Sequence, residues 1–211
     1  MPRRSRLPVF DRAALRATLD AARLFHARGW VPASAGNFSF RLDAGTIAVT
    51  VSGRHKGELG PADFLRVDLH GHPLERKKSS AETLLHCQIY RRFPAARAVL
   101  HTHSPASTAL SRARRSLRLE GYELLKVFDG IVTHEAAVDV PVFENDQDIA
   151  RLATVVDAQM ATGRGLHGYL IRGHGLYAWG DSVAQARHRV EALEFLFECE
   201  LAARLLERSD E

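Results

Sequence analysis

Ala98-Val99-Leu100-His101-Thr102-His103-Ser104-Pro105 is the stretch on which the reading of this chain turns. An apolar run leads into two histidines one residue apart, and a proline follows. The run reads as a buried strand that ends where the histidines appear. Side chains alternate between the faces of a strand, so His101 and His103 project to the same side. Two imidazoles on the end of a rigid element suit one metal ion. A histidine pair with no ligand has the same spacing, so the rest of the chain must decide.

The nearest support comes from Gly168 to Gly180. Two apolar strands meet there at a corner, Gly173-His174-Gly175. Flanking glycines bring backbone close and leave the imidazole unobstructed, which makes His174 the candidate third ligand. His70 and His72 share the H-x-H spacing but sit in Gly–Pro turn chemistry and are expected to be exposed.

Three stretches could face an anion. In Pro32 to Arg41, Gly36 permits close backbone approach and Asn37 offers both donor and acceptor; a plain turn with Asn37 in it fits equally. Ser52-Gly53-Arg54-His55-Lys56-Gly57 can cradle a phosphate, with Lys56 adding charge, or form a solvated hairpin turn. Ser79-Ser80-Ala81-Glu82 fits the S-x-x-E capping box of a helix that follows. The same helix start could present Ser80 to an anion. His86, one turn later, reads as a structural histidine on the helix face.

Between these motifs the apolar spacing predicts helices over 11–28, from about 83 to Phe93, and over 146–160 and 181–206. Strands are expected at 38–42, 46–52, 64–69, 97–102 and 131–142. Hairpin-like strands dominate and no βαβ repeat is visible. Phe195-Leu196-Phe197 gives the last helix more than one apolar face, which points to a partner subunit. Glu120 and Glu123 pass for surface carboxylates by pattern.

The 211 residues fit a single domain over 11–207, with 1–10 as a flexible arm. Net charge is +4, but no basic stripe is interleaved with aromatics, so nucleic acid is not an expected partner. A phosphorylated small molecule would suit the mildly basic balance. No apolar run is long enough to span a membrane, and Asp11-Arg12 interrupts any secretory leader. Two cysteines make no disulfide framework, and a reducing cytoplasm is expected.

In order, Ala35-Gly36-Asn37-Phe38-Ser39, Ser52-Gly53, Ser79-Ser80-Ala81-Glu82, His101-Thr102-His103 and Arg172-Gly173-His174-Gly175 resemble the class II aldolase and adducin family. Lys78 to His86, Glu120-Gly121-Tyr122-Glu123-Leu124-Leu125-Lys126 and His174 to Gly180 look most like its dehydratases, which act on a methylthio-substituted ketose 1-phosphate. The resemblance implies an α/β three-layer sandwich with a mainly antiparallel sheet flanked by helices, in a homo-oligomer, commonly a tetramer. It implies one zinc ion per subunit on His101, His103 and His174, and substrate phosphate on Asn37, Ser52, Gly53 and Ser80. Glu123 is implied as the acid/base, with Glu82 beside the metal as auxiliary base or polar anchor. Ala81 stands where the sugar-phosphate aldolases carry a second serine, which favours the dehydratases over an aldolase or epimerase. Retention of all three histidines argues against an adducin-like interaction domain.

Overall fold

The computed structural model describes residues 10–162 and 166–207. The expected arm lies outside them except for Phe10, which is buried edge-on against Phe40 and Phe64. Alternating apolar residues form strands β1 (Asn37–Arg41), β2 (Thr46–Thr50), β3 (Phe64–Asp68), β4 (Ala98–Thr102), β5 (Ser116–Glu120), β6 (Ala137–Phe143), β7 (Gly168–Ile171) and β8 (Gly175–Gly180). They make one sheet in the order β3-β2-β1-β4-β8-β7-β6-β5. Neighbours pair antiparallel except β6 and β7.

That parallel pair makes a single βαβ unit, in keeping with the absence of a βαβ repeat. Its crossover holds helix α4 (Ile149–Met160), because parallel neighbours need a long connection to return the chain. The other helices are α1 (Arg12–Ala27), α2 (Thr83–Arg92), α3 (Pro105–Ala113) and α5 (Val183–Glu207). Asp11 caps α1 through Ala13 N–H and Ala14 N–H, and Ser104 caps α3 through Ser107 N–H.

Strand alternation divides the core into two layers. Phe38, Phe40, Ala98 and Leu100 face the α1/α3/α5 side together with Leu193 and Phe197. Val99, Tyr169, Tyr177 and Trp179 face the α2/α4 side with Leu85, Ile89 and Val156. The central strands are therefore covered on both faces, giving three layers. Leu196 and Phe197 are spent on this core, and of the Phe195–Phe197 run only Phe195 is left exposed, at 51%. No described helix is long and apolar enough to cross a membrane.

Candidate metal centre and active site

The β4 register sets the site. His101 follows the alternation of Val99 onto the α2 side, while Thr102 turns toward α5. His103, one residue beyond the strand, is held by its N–H donating to Trp30 O at 2.7 Å. The rings of His101 and His103 lie 4.4 Å apart, centre to centre. His174 arrives from the β7–β8 turn, where Gly173 takes φ +61°. Its ring centre is 4.6 Å from that of His103. Two glycines make the approach possible. A Cβ on Gly175 would stand 1.9 Å from Thr102 O, and one on Gly36 would stand 2.7 Å from His101 O.

Glu82 completes the cluster. Its Oε1 is 2.9 Å from His174 Nε2 and its Oε2 is 3.3 Å from His101 Nε2. One ligand atom from each of Glu82, His101, His103 and His174 lies within 4.8 Å of the others. The capping-box expectation fails here. Helix α2 starts at Thr83, and Glu82 is the N-cap residue but makes no capping bond. Its carboxylate turns to the histidines and accepts from Asn37 Nδ2 at 2.7 Å. A buried carboxylate needs such partners more than a helix end exposed to water does.

The donor set fits a divalent cation. His101 Nδ1 lies 2.8 Å from Leu176 O, so it carries the proton and leaves the Nε2 lone pair facing the cluster. His101 Nε2 and His174 Nε2 are 3.4 Å apart. Burial lowers the pKa of His101 to about 4; for His103, burial and then the neighbouring imidazoles lower it to about 3. Both are thus neutral, the form that binds metal. Burial works against the charge on Glu82, but His101, His174 and Asn37 outweigh it and hold its carboxyl well below the usual range.

The residues expected to hold phosphate separate into two groups. Ser52-Gly53 and Ser80 come together: Ser52 N–H donates to Lys78 O, Ser80 N–H donates to Thr50 O, and Val51 bridges Ser79. Asn37 is instead buried beside Glu82, with its amide committed to Glu82 and to His86. Lys56 is also buried, its ammonium donating to Ser34 O and Arg54 O at 2.7 Å. That ties together two loops expected to face an anion. Burial lowers its pKa to about 8, against the attraction of Glu82.

Glu123 is not part of the cluster. It opens a 3-10 turn, Glu123–Val127, with its side chain 73% exposed and paired to Lys126 at 2.5 Å. With Trp30, Leu124, Ala192 and Phe195 it lines a groove of about 800 Å³. Trp30, whose carbonyl holds His103, is the link between groove and cluster. His70 and His72 are exposed, as expected.

Two residues near the site were not among the expected site residues. His86, read from its place one turn after Glu82 as a structural histidine, is fully buried and bonded to Asn37. Glu194 lies on the opposite face of β4 and is bonded to Thr102 and Ser104. Within a mixed helix pattern nothing marked it.

The model of the family described as class II aldolase and adducin N-terminal domain matches residues 16–201. The methylthioribulose-1-phosphate dehydratase of Methylococcus capsulatus (strain ATCC 33009 / NCIMB 11132 / Bath) is 57% identical over 183 residues, 86% of this chain and 90% of its own length. That of Pseudomonas paraeruginosa (strain DSM 24068 / PA7) is 55% identical over 193 residues, covering 90% and 94%. The crystal structure of l-fuculose-1-phosphate aldolase from Thermus thermophilus superposes with a TM-score of 0.77 at 30% identity, covering 93% of this chain and 98% of that one. The match over most of the chain, and the fold it shares with the aldolase, place this protein in the class II aldolase and adducin family.

Proposed function

We propose that the chain is a zinc-dependent hydro-lyase of methionine salvage, converting 5-methylthioribulose 1-phosphate to 5-methylthio-2,3-dioxopentyl phosphate and water. The observation that carries this is the buried group of His101, His103, His174 and Glu82, taken with relatives above 50% identity that are dehydratases of that substrate. A divalent cation on the three histidines, zinc at one per subunit in this proposal, supplies Lewis acidity toward the C2 carbonyl and C3 hydroxyl oxygens.

The chain's own groups do the rest. The phosphate rests on the Ser52 and Ser80 hydroxyls and the Gly53 N–H, since the Ser52 and Ser80 backbone N–H groups already hold their loops together. Asn37 serves the phosphate less directly than its sequence position implies, because its amide holds Glu82. A carboxylate takes the proton from C3. The electron pair of that C–H bond then expels the C4 hydroxyl, which gains a proton and leaves as water; the enol left at C3 gives up its hydroxyl proton while C4 takes one, yielding the 2,3-diketone. Glu123 is assigned the main acid/base role and Glu82 that of auxiliary base or polar anchor.

As it stands on one protomer, Glu123 is held below its ordinary pKa, first by the hydrogen bond from Lys126. That state suits a proton acceptor. We infer that a second copy closes the groove over Phe195 in a homotetramer, and that desolvation there raises Glu123 toward the range of a proton donor. The free thiols Cys87 and Cys199 accord with a cytoplasmic setting.

Glu82 against the histidines favours one second reading, a sugar-phosphate aldolase with Glu82 as its base. Incubation with methylthioribulose 1-phosphate separates the two. The dehydratase gives the diketone phosphate with loss of water, whereas release of an aldehyde by C3–C4 cleavage would overturn it.

A further inference from the structure

Helix α2 and strand β1 interleave a row of polar side chains under the metal cluster. Glu82, His86 and Tyr90 recur every four residues on one helix face, and Asn37 and Ser39 every two on one strand face. The contacts run in a single file. Asn37 Nδ2 donates to Glu82 Oε2 at 2.7 Å, and Asn37 Oδ1 meets His86 Nε2. His86 Nδ1 lies 2.7 Å from Ser39 Oγ, and Ser39 Oγ lies 2.9 Å from Tyr90 OH. All five residues are buried.

The acceptor at one end fixes the direction of the whole row. An ionised Glu82 can only accept, so the Asn37 atom beside it is the amide nitrogen. The Asn37 oxygen then faces His86, whose Nε2 must carry the proton. His86 Nδ1 is left with its lone pair and accepts from the Ser39 hydroxyl. With the proton on Nδ1 instead, two lone pairs would meet at His86 and Asn37. The amide would have to turn over, and its oxygen would then face the Glu82 carboxylate. The tautomer of one imidazole and the hold on the carboxylate are therefore one choice. The ring has no freedom to avoid it, being fully buried and set edge-on to Tyr177 at 5.7 Å.

We propose that His86, as its Nε2–H tautomer, is a positioning residue that fixes the Asn37 amide and through it aims Glu82 at the histidine cluster. The kinetic consequence rests on the dehydratase reading; the tautomer does not. Burial lowers the His86 pKa to about 4, so the ring stays neutral across the neutral range.

The test has two arms on the zinc-loaded protein. In the first, ¹⁵N-histidine NMR of the unaltered chain assigns His86 by through-bond correlation to its own backbone and by the contact of its ring protons with Tyr177. An Nε2–H tautomer is expected at neutral pH, and an Nδ1–H tautomer overturns the proposal whether or not the protein dehydrates anything. The second arm compares two amides. Gln can place its NH₂ where Nε2 stands and keep the donor to Asn37. Asn reaches only the Nδ1 position and loses it. His86→Asn should lower kcat about 10–100-fold, the usual effect of removing a group that orients a metal-site residue. His86→Gln should stay within a few-fold of the unaltered enzyme, at equal zinc content. Equal losses in the two variants, or losses that follow only their melting temperatures, would reduce His86 to a packing residue. If neither variant folds, the tautomer in the unaltered chain decides.

Discussion

Glu82 and Glu123 are both carboxylates that a family resemblance singles out, and the fold treats them in opposite ways. Glu82 is 8% exposed and touches His101, His174 and Asn37. Glu123 stands on a solvated turn with Lys126. The first is confined by four elements: α2, β1, β4 and the β7–β8 turn. The second is confined by its own turn and by whatever closes the groove. The same side chain is thus a fixed anion in one place and, in the role proposed for Glu123, an adjustable acid/base in the other. What differs is how many directed partners surround it.

The largest expected effect concerns the cluster that Glu82 faces. His103→Ala should lose the proposed zinc, by elemental analysis, and with it essentially all turnover. Full metal occupancy in that variant would remove His103 from the ligand set. Next comes the direct contrast. Glu123→Gln should lose about 10²–10⁴-fold in kcat with zinc and fold intact, the usual contribution of general acid–base help. Glu82→Gln should lose less and mainly raise KM. An inactive Glu82→Gln beside a near-normal Glu123→Gln would reverse the roles and favour the aldolase reading.

A smaller effect probes the groove. Phe195→Glu places a charge on the exposed phenylalanine of α5, and light scattering should show the proposed tetramer dissociating while secondary structure persists. A protomer of about 23 kDa in the unaltered protein, fully active, would contradict closure by a second copy.

The smallest effect sharpens the contrast with a third carboxylate. Glu194 is as buried as a side chain can be, but its partners are the hydroxyls of Thr102 and Ser104, with no cation. Burial therefore wins and raises its pKa to about 7, where the ordinary value is 4.5. The folded protein keeps this proton over a range in which the unfolded chain has released it. Stability from this group is full below about pH 4.5, falls as pH rises to about 7, and is level above. The total is at most roughly 3.5 kcal/mol, at about 1.4 kcal/mol per pH unit. In Glu194→Gln, chemical denaturation across that range should show the slope flattened. An unchanged slope would mean that Glu194 is ionised throughout.

Much of the frame was legible in the residues. Strand alternation at Phe38 and Phe40 and the run into His101 are local patterns, and so is the glycine corner at His174. Each records which face of its own element is buried. The strand ends differ by only a residue or two from the spacing-based expectation in β1, β2, β3 and β4. Local pattern misled where a side chain had two possible partners. Ser79 and Glu82 have the spacing of a helix cap, yet the carboxylate serves the histidines and α2 begins without it. The parallel β6–β7 pair was likewise hidden, because two strands and a helix in a row carry no mark of which neighbours will pair.

The sequence by itself determined the periods: two along β1, four along α2, and one residue between the histidines of β4. Only the tertiary structure decided that α2 lies over β1 in the register that threads Glu82, Asn37, His86, Ser39 and Tyr90 into one row. Hydrophobic periodicity is written within each element, because it reports that element's own exposure to water. A hydrogen bond between elements requires two side chains at a fixed distance, and that distance exists only once the layers have packed.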